Sequence, residues 1–262
     1  MRARQPALNF GASLPHWTRD IELSHMLNGI SVVVMELEPF MNRVMRRARH
    51  ELPADDPLYG DLETFVRQEA NHTLLHRQYN QALYDAGYQG IEDIERMMRE
   101  DYTRYLKEWP LRELLAYCEG FECLGPIWAE FLFEAVDDLF EGADPAVVDL
   151  WRWHLAEEYE HRMVAYSVYH RFGGHWLHRL VTTFKTHRHL QKYVSMCGTL
   201  LLAADRKSMT PEQVAESKAK SANIRRRLSL FILKRLWRVV QPFYSPEHLK
   251  KPAGIEHYLS MP

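Results

Sequence analysis

The chain has 262 residues, 46% of them hydrophobic and 26% charged. That is enough apolar material for one sizeable core, and it excludes disorder as the starting expectation. Lys and Arg number 33 against 35 Asp and Glu, a net charge of −2, so bulk charge gives no reason to expect a nucleic-acid partner. Three cysteines, Cys118, Cys123 and Cys197, form no CxxC pair, which fits a reducing compartment without a disulfide framework.

The first ten residues carry Arg2 and Arg4 but no apolar run, so no secretory signal is expected. No window approaches the ~18 apolar residues of a spanning helix. The best stretch, Thr199 to Ala204, is bounded by Lys192 and Asp205. A cytoplasmic protein is the expectation.

In chain order, apolar periodicity predicts a first helix over about Ser24 to Glu51, with Pro39 inside it as a kink site. A Pro- and Asp-containing turn, Leu52 to Pro57, leads into a second helix over Leu58 to Ala86, closed by Gly87. A shorter connecting helix is expected over Gly90 to Tyr105. A third long helix is predicted from Leu111 to Phe140. Asp144 and Pro145 read as the N-cap and first position of a fourth, running to Phe172 and stopped by Gly173-Gly174. Two more follow, His175 to Ala204 and Pro211 to Val240. No strand-like alternation occurs. The fold class is therefore all-α: a four-helix bundle over about 24–172 with additional C-terminal helices over about 175–240, in a single domain.

Fourteen histidines are many for this length, and several stand beside glutamates. Arg67 to His76 contains Glu69-x-x-His72, and His154 to His161 contains Glu158-x-x-His161. Residues at i and i+3 share a helix face, so each pair points one way. Chance predicts about 1.2 such matches from 23 Glu and 14 His. There are three, counting Glu22-x-x-His25, which opens the first helix and reads as incidental. His154 extends the last motif to His-x-x-x-Glu-x-x-His, within about 60° of one face. Two Glu-x-x-His helices plus one Glu from each of two others is the ligand pattern of di-iron carboxylate bundles, which places the fold among the ferritin-like bundles. Carboxylates bridge and neutralise hard cations, and imidazole suits borderline divalent metals.

The remaining carboxylates are open from spacing alone. Glu36 and Glu38 lie ~200° apart and cannot both face the core, whereas Glu119 and Glu122 can. His76 reads as a support or cavity residue behind the ligands. Glu157 and Glu160 read as solvent-facing or supporting groups, His175, His178, His187 and His189 as ordinary histidines, and Trp151, Trp153, Tyr159, Tyr166 and Tyr169 as packing.

Several stretches carry a resemblance: Ser24-His25-Met26-Leu27-Asn28, Gln68-Glu69-Ala70 with His72, His76 and Asn80, Trp151-Arg-Trp-His154 running into Glu157-Glu158-Tyr-Glu160-His161, and Gln241 to Pro246. With these the chain resembles a bacterial family of ferritin-like proteins labelled "predicted metal-dependent hydrolase". The resemblance implies Glu38, which precedes Pro39-Phe40, in the first helix. It implies Glu122, eight residues before Glu130, in the third, although this chain reads Glu-Cys-Leu-Gly where the family has Glu-His-Phe-Thr. The set Glu38, Glu69, His72, Glu122, His154, Glu158 and His161 is also similar to that of the di-iron arylamine N-oxygenases, which carry an extra His at the place of His154. Glu36, Glu119 and His76 are the alternative or supporting residues.

These patterns lead to the expectation of a non-haem di-iron, O2-activating oxidoreductase, an oxygenase or N-oxygenase. It would hold two Fe ions (Mn or a mixed pair being alternatives), with a small-molecule substrate, O2 and an electron donor as partners. A dinuclear metal-dependent hydrolase and a non-catalytic iron-binding protein are the alternatives. A homodimer is the default assembly. Lys218 to Arg238 alternates basic and apolar residues, either as an amphipathic helix docked on the bundle or as a surface for anionic lipid or an acyl carrier.

Overall fold

The computed structural model describes all 262 residues and is helical throughout, without strands. α1 (Ile21–Glu51) is one helix through Pro39. α2 (Leu58–Asp85) ends where Gly87 takes φ +80. The Gly87 and Tyr88 amides then bond back to the Tyr84 and Leu83 carbonyls, the two-bond closure that needs a left-handed residue. α3 (Ile91–Glu108) follows, slightly longer than expected.

The third predicted helix is two: α4 (Leu111–Glu122) and α5 (Gly125–Glu134). Pro126 is the reason, because it has no N–H for the carbonyl four residues back, that of Glu122, and its ring would clash there. The fourth is also two: α6 (Pro145–Glu160) and α7 (Val164–Arg171). The expected cap is in place, the Asp144 side chain accepting the Ala146 amide at 2.9 Å. No Gly or Pro marks the second break. It is held by tertiary bonds instead: Arg162 donates to the carbonyls of Tyr159 at 2.8 Å and Pro246 at 3.0 Å, so the carbonyl freed at the helix end is not left unpaired.

α8 (Trp176–Arg206), α9 (Pro211–Val239) and the short α10 (Ile255–Leu259) complete the chain. α1 packs between α2 and α8, α4 between α7 and α8, and α5 against α6. No helix is long and apolar enough to cross a membrane. α9 docks only partly. Ser217, Ser221, Ile224 and Val239 are buried, while Leu230, Leu233 and Trp237 face outward.

Two apolar clusters fill the bundle. Along α2, Phe65 and Val66 belong to one, Leu75 and Tyr79 to the other, and Glu69 and His72 fall between. The switch from one cluster to the other also falls at the α4–α5 break beside Glu122 and at the α6–α7 break beside His161, while in α1 it falls between Leu27 and Val32, ahead of Glu38, which lies between Leu37 and Phe40 of the first cluster. A buried polar layer thus lies where the two apolar clusters meet.

Candidate metal centre

That layer brings all seven expected donors together, each 3% exposed or less. Glu38, His72 and His154 present ligand atoms within 4.8 Å of one another, and so do Glu69, Glu122, Glu158 and His161. Two carboxylates lie between the groups. Glu158 sets Oε1 3.2 Å from His154 Nε2 and Oε2 3.6 Å from His161 Nε2. Glu69 Oε1 is 3.7 Å from His72 Nδ1 and 3.4 Å from His161 Nε2. Glu122 Oε2 stands 3.2 Å from His161 Nε2, and Glu38 Oε1 3.6 Å from His154 Nε2. The helix breaks and small residues make this room. A Cβ on Gly125, at the start of α5, would run into Glu158 Oε2.

Hydrogen bonds behind the donors fix each imidazole. Gln68 donates its amide to the Arg2 carbonyl and Glu160, so its Oε1 faces His161 Nδ1 at 3.1 Å and accepts from it. His161 Nε2 is left facing Glu122 and Glu158, with a lone pair for a metal once its proton is displaced. His72 Nε2 donates to Glu157 Oε2 at 3.1 Å, freeing Nδ1. His154 is fixed by a chain of three residues, Asn80, Ser31 and His76. Asn80 donates to the Ser31 carbonyl, so its Oδ1 accepts from the Ser31 hydroxyl at 2.6 Å. Ser31 Oγ must then accept from His76 Nδ1 at 2.8 Å. His76 Nε2 is therefore the acceptor for His154 Nδ1 at 2.8 Å, and His154 Nε2 is turned to Glu158 Oε1, 3.2 Å away. Orienting partners of this kind accompany metal-bound histidines as a rule.

The free atoms are the test of whether a metal fits. Glu38 Oε1, both Glu69 oxygens, both Glu122 oxygens, Glu158 Oε2, His72 Nδ1 and His161 Nε2 are buried without a hydrogen-bond partner. Buried polar groups are nearly always satisfied, and here eight orphans converge on one spot. Four carboxylates would also neutralise two divalent cations. Without cations, burial and then the Glu158 charge push Glu69 and Glu122 up to about 8. Burial and the Glu69 and Glu158 charges push Glu38 well above the carboxylate range. For Glu158 itself burial raises the pKa, but His161 and His154 outweigh it and hold it below the usual value.

The supporting residues separate clearly. His76 stands behind His154. Glu119 is buried but turned to Arg179, whose Nη1 donates to it at 3.2 Å, which removes it from the cluster. Glu36 is also outside, half-buried and paired at the surface with Arg99. Its place two residues from Glu38 forces it onto the opposite face. Glu157 is not solvent-facing: it is fully buried, with Oε1 held by the Arg4 side chain and amide and Oε2 by His72. Spacing hints at it, since Glu157 lies one turn from both His154 and His161. Nothing in the sequence points to Arg4, and the Gly125-Pro126 dipeptide is the overlooked sign of the α4–α5 break. Among the other histidines, His178 pairs with Glu113 and His189 with Asp101.

The pattern of the family described as "Predicted metal-dependent hydrolase" matches residues 2–250. The chain belongs to that family. No curated protein and no solved structure matches it. The matched span of this metal-dependent hydrolase family member covers every donor and every supporting residue from Arg4 to Arg179. The name sets a metal requirement that the orphaned donors fit and suggests hydrolysis, and it leaves open which metal and which substrate.

Proposed function

We propose that Glu38, Glu69, His72, Glu122, His154, Glu158 and His161 hold two iron ions, and that the protein is an O2-activating oxidoreductase acting on a small organic substrate. The observation that carries this reading is the buried, charge-matched donor set lying where two apolar clusters meet. A site that dry admits O2 and a small organic molecule more readily than the water and bulky ester or amide of a hydrolytic reaction. The second reading is metal-dependent hydrolysis, which the family's name favours. A metal pair bound there would supply electrons for O2 in the first reading and, in the second, a Lewis acid that acidifies water.

The protein's own part is the same in either case. Gln68, Glu157 and His76 fix the tautomer and orientation of His161, His72 and His154, so that the other nitrogen of each ring faces the metal position. Glu69 and Glu158 span the two groups and set their separation. Glu38 and Glu122 each serve one group, and a carboxylate can swing to open a position without breaking the helix that carries it. An external electron donor is part of the first reading. The basic, outward apolar end of α9 is the surface we propose for an anionic lipid or acyl-carrier contact.

The deciding experiment is metal analysis of protein purified without added metal, with an optical spectrum before and after reduction and air exposure. About two irons per chain, with absorbance that develops with O2, supports the oxidoreductase. Zinc alone, with no O2 response after iron reconstitution, transfers the conclusion to the hydrolase. No metal under any loading overturns the ligand assignment.

A further inference from the structure

Between α1 and α2 the surface opens into a groove of about 270 Å³ lined by Pro39, Asn42, Arg43, Arg46, Ala70 and Thr73. Its floor is one side chain from the donor cluster. Thr73 Oγ1 lies 2.9 Å from Glu38 Oε2 and equally 2.9 Å from the Glu69 carbonyl. A hydroxyl has a single proton, so Thr73 can turn from one acceptor to the other and release Glu38 without losing its bond.

Two features of the walls point to a ligand. Arg43 and Arg46 are exposed and have no acidic partner, whereas Arg47 and Arg49 of the same helix pair with Glu51 and Glu63. Asn42 is buried, yet its Oδ1 has no hydrogen-bond partner. Two free guanidinium groups one turn apart suit a carboxylate, which accepts charge-assisted hydrogen bonds from both. An unsatisfied amide oxygen beside them calls for a donor on the same molecule. The donor cluster does not oppose an anion, because four carboxylates and two divalent cations sum to zero.

We infer that this groove binds a small organic carboxylate that also bears a hydrogen-bond donor, held by Arg43 and Arg46 at its acid end and by Asn42 at its donor. That this molecule is the substrate of the centre rests on the functional reading above. The binding itself does not.

The test is titration calorimetry of the metal-loaded protein with 4-hydroxybenzoate, and with neutral 4-hydroxybenzyl alcohol as comparator. The double variant R43Q/R46Q should weaken the carboxylate by about tenfold or more and the alcohol by less than about twofold. Asn42→Leu should weaken both, since both carry the hydroxyl donor. Equal carboxylate affinity in wild type and R43Q/R46Q, or no binding at about 10 mM, overturns the inference. Metal content of the same samples separates the two readings. Arginine-dependent binding by protein that takes up no metal upholds the groove and removes the dinuclear centre. Full metal content with arginine-independent binding does the reverse.

Discussion

The molecule contains two clusters of histidine and carboxylate that look alike as composition and differ in their hydrogen bonds. In the bundle core, His72, His154 and His161 each have one nitrogen held by a partner behind it and the other turned toward the carboxylates of the set. Near the start of α1, His16, His25 and Asp205 also gather within metal-binding reach, but no buried polar atom there lacks a partner. Asn28 accepts from Trp17 and Tyr79 and donates to the Pro15 carbonyl. Its amide therefore faces His25 Nδ1 as a donor, at 3.3 Å. His25 must carry its proton on Nε2 and give it to Asp205 Oδ2 at 2.7 Å. His16 bonds the same oxygen at 2.6 Å, and Tyr88 donates to Oδ1 at 2.7 Å. The second cluster is a clasp joining the N-terminal segment, α1, the α2–α3 turn and α8. Proximity of ligand types does not distinguish the two cases; the direction of the surrounding donors does.

The comparison is sharpest when each cluster loses its central carboxylate. Glu158→Ala removes the group that spans both halves of the core set, and we expect metal content to fall to background at both positions. Asp205→Asn should leave metal content unchanged. Metal analysis of the two purified variants decides this, and loss of an ion from the Asp205 variant would make the clasp a metal site.

A second contrast is pH. Glu69 and Glu122, pushed up to about 8 in the metal-free protein, keep protons in the native state that the unfolded chain has released above its carboxylate range. Their stabilising contribution is present at low pH and is lost as pH rises through about 8. His161, raised by Glu122 and Glu158 against the effect of burial, acts in the same direction. His154 and His76, lowered by burial, are neutral in both states above pH 7 and add nothing. Metal-free protein should therefore lose thermal stability between pH 7 and 8.5. Metal-loaded protein should lose less or gain, because cations replace those protons. Each kcal/mol moves the midpoint by about 2–4 °C at this chain length. Parallel melting curves with and without chelator would show it, and identical pH slopes would refute the centre.

Much of this contrast was legible in the sequence. The Glu-x-x-His pairs, their helices and the supporting place of His76 follow from a period of 3.6 and motif spacing. The breaks at Pro126 and after Glu160 were not read. The first is signalled by Gly125-Pro126, but apolar periodicity on both sides hides it. The second has no local signal, since Arg162 reaching Pro246 is a long-range contact. Spacing leaves Glu157 open between a solvent-facing and a supporting place for the same reason: its partners Arg4 and His72 come from distant parts of the chain. The separation of Glu119 from Glu122 was likewise decided by Arg179, sixty residues on, and not by helical phase.

Glu157→Gln probes the support behind the core set. The variant keeps the shape but loses a charge, and its amide can turn a donor toward His72 Nε2, which needs an acceptor. Metal affinity should fall by about 10–100-fold, the usual effect of losing a partner behind a metal-bound histidine, with both ions still bound at saturation. A competition titration against a chelator measures this, and unchanged affinity would mean that Glu157 serves only to hold Arg4.

The smallest effect belongs to the clasp, and it is one of stability alone. Asp205 sits well below the usual carboxylate range: burial pushes it up, but bonds from His16, His25 and Tyr88 outweigh that. Asp205→Asn removes the charge and turns an amide donor toward groups that are already donors, leaving at least one buried donor unpaired. The cost is about 1–3 kcal/mol, read as a fall of about 2–12 °C in melting midpoint. Because His16 is half-exposed while His25 is buried, most of that loss should be reproduced by His25→Leu and little by His16→Ala. If His16→Ala costs as much as Asp205→Asn, the clasp is held from its solvent side, and the buried His25–Asn28 arrangement does not define it.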